Sequence, residues 1–135
     1  MKKIALAGAI LLAIAFFTDA AFAAKLVEAK TYRETFYIKD VSIVRKALLE
    51  ACAQRKWEAS EIHDGQIEAV LKSSKYSLTV SIVYNNNGYS ISYKDSDGLR
   101  YNEQKNVIHS SYIRWLENLI RDANANINAM RNSNE

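Results

Sequence analysis

The sequence predicts an α+β fold: a two-layer sandwich in which two helices cover one face of an antiparallel sheet of about four to five strands. Apolar residues alternate with a period of two through the middle of the chain, and they recur every three or four residues in one segment on either side of it. The chain has 135 residues, 49% of them hydrophobic, which suffices for one packed core. The predicted order is β-α-β-β-β-β-α.

The strands are predicted from alternation and from the glycines that separate them. Leu78, Val80 and Ile82 alternate with polar residues, which is typical of a half-buried strand. Gly65 and Gly88 each follow Asp or Asn, a combination that favours tight turns, so the strands around them should form hairpins. The predicted strands are 32–38, 57–62, 67–72, 76–84 and 89–94.

The two helices are predicted from their apolar stripes. Val44 and Leu48 share one stripe of a helix that begins after Asp40, a residue type that caps helix starts. A second stripe covers 108–127, with Asn106 as its cap.

The N-terminus predicts export. Lys2 and Lys3 precede an uncharged apolar run over 4–17, and Ala21 and Ala23 complete an A-x-A cleavage pattern. The run is shorter than the ~20 residues that span a bilayer, and no Cys lies near the cleavage point. We therefore expect cleavage near Ala23, no stable membrane anchor afterwards, and a periplasmic or secreted protein. The predicted parts are a signal peptide (1–23), one α+β domain (24–127) and a flexible tail (128–135).

Several function classes lack support in the sequence. A net charge of +3 with interspersed signs gives no basic face for nucleic acid. No phosphate-binding glycine motif occurs, and His63 and His109 lack metal-ligand spacing, so we expect neither a cofactor nor a metal. Cys52 is the only cysteine; it is either a buried apolar residue, or a reactive thiol or a partner in an intermolecular disulfide.

The C-terminal half carries a group of residues that together form a pattern: Ile91-Ser92-Tyr93-Lys94-Asp95-Ser96, Ile108-His109, Tyr112 and Trp115, with Trp57 upstream. They resemble a pattern that is roughly Y-S-I-x-Y-x-D-S followed by I-H-x-x-Y-x-x-W. That pattern is typical of a family of small exported or lipid-anchored bacterial envelope proteins of unknown function. The resemblance implies a small α+β domain and export, and it transfers no catalytic residue. This chain lacks the Cys that anchors the lipidated members.

One group of polar and aromatic residues is the candidate site: Tyr93, Asp95, Ser96, Tyr101, His109 and Tyr112. It has three interpretations. The tyrosines can form an aromatic-edged cleft between sheet and helix that contacts a ligand or peptide. Ser96 and His109 can form the start of a nucleophile–base pair in a small hydrolase. Local turn hydrogen bonds and a tyrosine-rich core account for the same residues without any activity.

These observations favour a non-enzymatic exported module that binds an envelope protein or a small ligand. No complete catalytic constellation is visible, whereas a Ser/Thr-rich sheet face and an unpaired edge strand could accept a partner by strand addition. The alternative is the small hydrolase that uses Ser96 and His109.

Overall fold

A computed structural model describes residues 25–133. The predicted signal peptide and the cleavage point near Ala23 lie outside this range, as does the end of the predicted tail. Seven strands and two helices occur in the described part, in an α+β arrangement that confirms the predicted fold class. The elements are β1 (Leu26–Glu28), β2 (Tyr32–Thr35), α1 (Val41–Gln54), β3 (Glu58–His63), β4 (Gln66–Lys72), β5 (Ser77–Asn85), β6 (Gly88–Asp97), β7 (Val107–His109) and α2 (Ser111–Ser133).

The main sheet has five antiparallel strands in the order β2-β6-β5-β4-β3. Strands β3 to β6 form the predicted meander, with each strand beside the next. Asn85 pairs with Gly88, so Asn86 and Asn87 form the turn of the predicted hairpin. Strand β2 returns to pair with the first part of β6, which leaves β2 and β3 as the two sheet edges.

The apolar core lies between one face of this sheet and both helices. Every second residue of β5, from Leu78 to Tyr84, is buried, and these residues share a face with Ile67 on β4 and Ile91 on β6. The opposite face carries no helix and is rich in Ser, Thr and charged residues. Fully buried members of the core include Val44, Leu48, Leu78, Val80, Ile82, Leu116 and Leu119.

Helix α1 has well-defined ends. Asp40 caps its start as predicted, since its carboxylate accepts a hydrogen bond from the Ser42 N–H at 3.0 Å. At the other end Lys56 has a left-handed φ of 64°. The N–H of Trp57 then donates to the Cys52 carbonyl at 2.8 Å, and the N–H of Lys56 donates to the Ala53 carbonyl at 3.2 Å. This is a Schellman motif with lysine where glycine is usual.

The start predicted for the second helix is wrong. Residues 107–109 form β7, which pairs with β1 in a separate two-stranded sheet. Asn106 has a left-handed φ of 51° and caps no helix, because α2 begins at Ser111. The sequence pattern misled because Ile108 lies four residues before Tyr112, which extends the helical stripe backwards by coincidence.

The segment predicted as a flexible tail, 128–135, begins as helix. Helix α2 continues past Ile127 to Ser133, and Met130 is packed against the core, which continues the apolar stripe by one turn. Neither helix of the described part is long and apolar enough to cross a membrane.

Candidate functional site

The second half of β6 carries the predicted site residues. The predicted strand ends at residue 94, but β6 continues through Asp95 and Ser96 to Asp97. A β-bulge makes this possible: Val80 pairs with Tyr93 and Thr79 pairs with Asp95, so Lys94 is the extra residue. The bulge reverses the alternation, so that Asp95 pairs across from outward-facing Thr79 and Ser96 pairs across from inward-facing Leu78.

Beside this half of β6 lies an open cleft of about 750 Å³. We call it the β6 cleft. Four of the six predicted site residues line it, whereas His109 and Tyr112 do not. The lining residues are Tyr93, Lys94, Asp95, Ser96, Asp97, Gly98, Leu99, Arg100, Tyr101 and Glu103.

Three tyrosines form a column from the core to this cleft. Tyr112 is completely buried, and its hydroxyl donates to the Lys30 carbonyl at 2.8 Å. Tyr93 lies against Tyr112 with ring centroids 6.5 Å apart, and Tyr101 stacks on Tyr93 at 3.9 Å. Tyr112 is therefore the buried base of the column, and Tyr101 is its outermost ring.

Ser96 and His109 have separate hydrogen-bond partners. The Ser96 hydroxyl bonds the Tyr93 hydroxyl at 2.7 Å, whereas Nδ1 of His109 accepts the Ser111 N–H at 3.1 Å at the start of α2. Among residues 25–133, no hydrogen bond links Ser96 to His109. The tie between the loop and the helix start fits the structural interpretation of His109, and the hydrolase stays a prediction without a contact that supports it.

The charged side chains of the β6 cleft are mostly unpaired. Lys94 is the exception, because its Nζ bonds Glu68 at 2.9 Å on the uncovered face of the sheet. The other charged lining residues form no ion pair within the described part: Asp95, Asp97, Arg100 and Glu103.

The pKa of the Tyr93 hydroxyl is raised, mainly by burial. The hydrogen bond with Ser96 lowers this pKa, whereas Tyr101, Asp95 and Glu103 raise it by smaller amounts. The hydroxyl therefore stays protonated at neutral pH and serves as a hydrogen-bonding group.

Backbone geometry after β6 fixes the outer wall of the cleft. Gly98 has a φ of 75°, and a Cβ there would collide with the Lys75 carbonyl, so only glycine fits this approach. Arg100 also has a left-handed φ, 57°, and the chain then turns back so that Tyr101 stacks on Tyr93. Nothing in the sequence indicated that this Asp-Gly pair borders a cleft.

A second, smaller pocket of about 200 Å³ lies among aromatic residues. Tyr76 and Trp115 stack there at 4.7 Å, next to Trp57. Arg55 lies at this pocket and is held by Asp122 at 2.6 Å.

Cys52 is fully buried, and burial raises the pKa of its thiol to about 12. The thiol is therefore protonated and shielded, as expected for the buried apolar residue that the sequence offered as one alternative. Within residues 25–133, no three His, Cys, Asp or Glu side chains are grouped closely enough to hold a metal ion.

No protein-family model matches the chain, and no curated protein matches it. The similarity to small envelope proteins stays a prediction from the sequence, and the role of the β6 cleft is inferred from its own geometry.

Proposed function

We propose that the protein is a non-enzymatic binding module that contacts its partner or ligand through the β6 cleft. One observation carries the proposal: a cleft of about 750 Å³ is lined by one continuous stretch of chain whose charged groups are mostly unpaired. Ligand sites are typically concave, with volumes of ~300–1,000 Å³ and mostly apolar linings, whereas this cleft of similar volume combines two tyrosines with mostly charged and polar residues. The column of tyrosines gives this cleft a rigid aromatic wall.

The proposal includes the cellular location. A positively charged start, an apolar run and an A-x-A pattern support export with cleavage near Ala23 to the periplasm or the medium. Reading the N-terminus of the protein recovered from cells tests this. A product that retains Met1 contradicts export with cleavage.

The binding role is tested by nuclear magnetic resonance on the isotope-labelled full chain. We expect amide signals of residues 93–103 to shift when one of three envelope fractions is added: proteins, glycans or small metabolites. Tyr101→Ala should raise the concentration needed for a half-maximal shift at least tenfold, because it removes the outermost ring of the column.

Tyr37→Ala is the matched control, since Tyr37 is 67% exposed and lies outside the cleft. Shifts confined to other surfaces with all three fractions, or equal effects of the two substitutions, contradict the proposal. Turnover of a substrate that is lost in Ser96→Ala favours the hydrolase instead.

A further inference from the structure

The two sides of β6 are covered to different lengths. Strand β5 pairs with β6 along Gly88–Asp97. Strand β2 pairs only with Gly88–Ile91 on the other side. Residues 92–97 therefore have a strand neighbour on one side alone, and the β6 cleft lies along this stretch.

The backbone groups on this second side are free to bind. In an antiparallel sheet, alternate residues direct their N–H and C=O groups toward opposite neighbours. Within the described part of the chain, no backbone hydrogen bond apart from strand pairing starts or ends on residues 92–97. The groups of this stretch that point away from β5 therefore have no backbone partner within the described part, and an added strand can bond them.

The segment before β2 is held away from this edge. The Lys30 carbonyl accepts the Tyr112 hydroxyl at 2.8 Å, and the Ala29 N–H donates to the Asn106 carbonyl at 2.9 Å. These bonds direct the chain toward β7 and α2 at the point where β2 would otherwise continue along β6. The vacant position beside residues 92–97 therefore cannot be filled by residues 29–31 without breaking them.

We infer that an extended polypeptide segment rich in alternating Lys or Arg binds the β6 cleft by adding a strand beside residues 92–97. This inference rests on the proposed function and names the class of partner. Main-chain hydrogen bonds along the edge supply the affinity in this mode of binding. The preference for cations follows from charge: Asp95 and Asp97 share one face of β6 opposite uncharged Thr79 and Ser77 on β5. Together with Glu103 they outnumber Arg100, the cation among the lining residues that is unpaired within the described part. Cationic side chains on the added strand would pair with Asp95 and Asp97.

The cleft fits this partner better than β2 or β3 does. Strand β2 has only four residues, and its Glu34 is bonded by Asn124. Strand β3 and the open half of β6 are both six residues long, and each has one bulge. They differ in that Glu61 of β3 is already paired with Arg45 at 2.6 Å, whereas Asp95 and Asp97 are unpaired within the described part and lie at the cleft.

The test uses the full chain and three synthetic peptides. The first is acetyl-Lys-Thr-Lys-Thr-Lys-Thr-amide, the second is the same peptide N-methylated at alternate residues, and the third replaces its lysines with glutamates. We expect the first to shift the amides of residues 92–97 and slow their hydrogen exchange. N-methylation should weaken binding at least tenfold because it removes the edge-facing donors, and the glutamate peptide should bind more weakly still.

Two charge-reversal variants test the electrostatic part. Asp95→Lys should weaken binding of the lysine peptide about two- to fivefold, as expected for one cross-strand charge pair. Glu50→Lys is the matched control, because Glu50 is an exposed helix residue outside the cleft. Circular dichroism confirms that both variants fold.

The outcomes separate the two proposals. Equal binding of the methylated and unmethylated peptides within 93–103 overturns strand addition and leaves the binding role of the cleft intact. Binding of the lysine peptide along β2 or β3 also overturns the inference. If neither the peptides nor the envelope fractions perturb residues 93–103, both proposals fail.

Discussion

The two halves of β6 follow one another in a single strand, yet they differ in almost every physical respect. Residues 88–91 lie between two strands, and Tyr89 and Ile91 are buried beneath the helices. Residues 92–97 have one strand neighbour, and their charged members are exposed. The boundary is where β2 begins, opposite Ile91.

This difference separates stability from binding within one element. The first half contributes apolar burial and saturated backbone hydrogen bonds, so changes there should act on folding. The second half keeps backbone and carboxylate groups available, so changes there should act on recognition and leave the fold intact. The following experiments can break or sharpen this contrast.

The largest contrast concerns thiol accessibility. In Asp95→Cys the new thiol lies in the open half of β6, whereas Cys52 is buried and its thiol has a pKa raised to about 12. Labelling by a disulfide reagent at pH 8 should modify the first thiol at least ~1,000-fold faster, because Cys52 reacts only after unfolding. Two thiols reacting at similar rates in the folded protein would show that the core opens freely.

Shortening a side chain in the buried half of β6 should reduce the free energy of unfolding by several kcal/mol. Ile91 is 0% exposed, so Ile91→Ala leaves a cavity and should cost about 2–5 kcal/mol. Ser96→Ala removes one half-buried hydrogen bond and should cost about 1 kcal/mol or less. Urea denaturation of both variants gives the comparison, and equal losses would refute the division of β6 into two halves.

Removing the Tyr89 hydroxyl in the buried half should reduce the free energy of unfolding by a smaller amount, which depends on pH. The hydroxyl donates to Asn124 at 2.7 Å, and Tyr89→Phe should cost about 1 kcal/mol. Burial raises the pKa of Tyr89 above its ordinary value of 10.0, and the charge of Glu34 adds to this. The native state therefore holds its proton more tightly than the unfolded state does.

The sign of the pH effect follows from linkage. The stabilising contribution of Tyr89 is complete below about pH 10 and is lost as the pH rises toward its folded-state pKa. The midpoint temperature of thermal unfolding, measured between pH 8 and 11, should fall less steeply with pH in Tyr89→Phe than in the unchanged protein. Parallel curves would mean that Tyr89 ionises alike in both states.

The smallest effect is expected outside β6, at the end of α1. Lys56 has a left-handed φ of 64° in the Schellman motif, a conformation that costs a non-glycine residue about 1 kcal/mol. Lys56→Gly should raise the unfolding midpoint slightly. Glycine adopts this φ without strain, and the free energy gained in the folded state exceeds the cost of ordering the more flexible glycine on folding. Lys46→Gly, within the same helix, is the control and should lower it. A lower midpoint for both would show that the motif tolerates lysine without strain.

Much of the fold could be predicted because local patterns and tertiary environment agree. The alternation through Leu78, Val80 and Ile82 matches a face that both helices cover. Asp40 is followed by an apolar stripe, and it caps the helix as its residue type predicts. Strands β1 and β7 could not be predicted, since three residues each are too few for a periodic signal.

The candidate site was predicted in its residues more than in its geometry. Tyr93, Ser96 and Tyr101 meet at the cleft, but Ser96 bonds Tyr93, and His109 serves the start of α2. The Asp-Ser-Asp-Gly run consists of turn formers, so its strand conformation is imposed by pairing with β5 through a bulge. The open edge of β6 depends on where β2 begins, and such a long-range relation leaves no local signal.

The pairing of β1 with β7 has a consequence for how the chain acquires its fold. Residues 26–28 are synthesised early, but they pair with residues 107–109. Forming this two-stranded sheet requires closing a loop that contains most of the domain. A growing or threaded chain cannot form this two-stranded sheet until residues 107–109 are available, and helix α2 follows directly after them. Fragments that end before Val107 should therefore stay open and susceptible to proteases, whereas the completed chain closes in one late step.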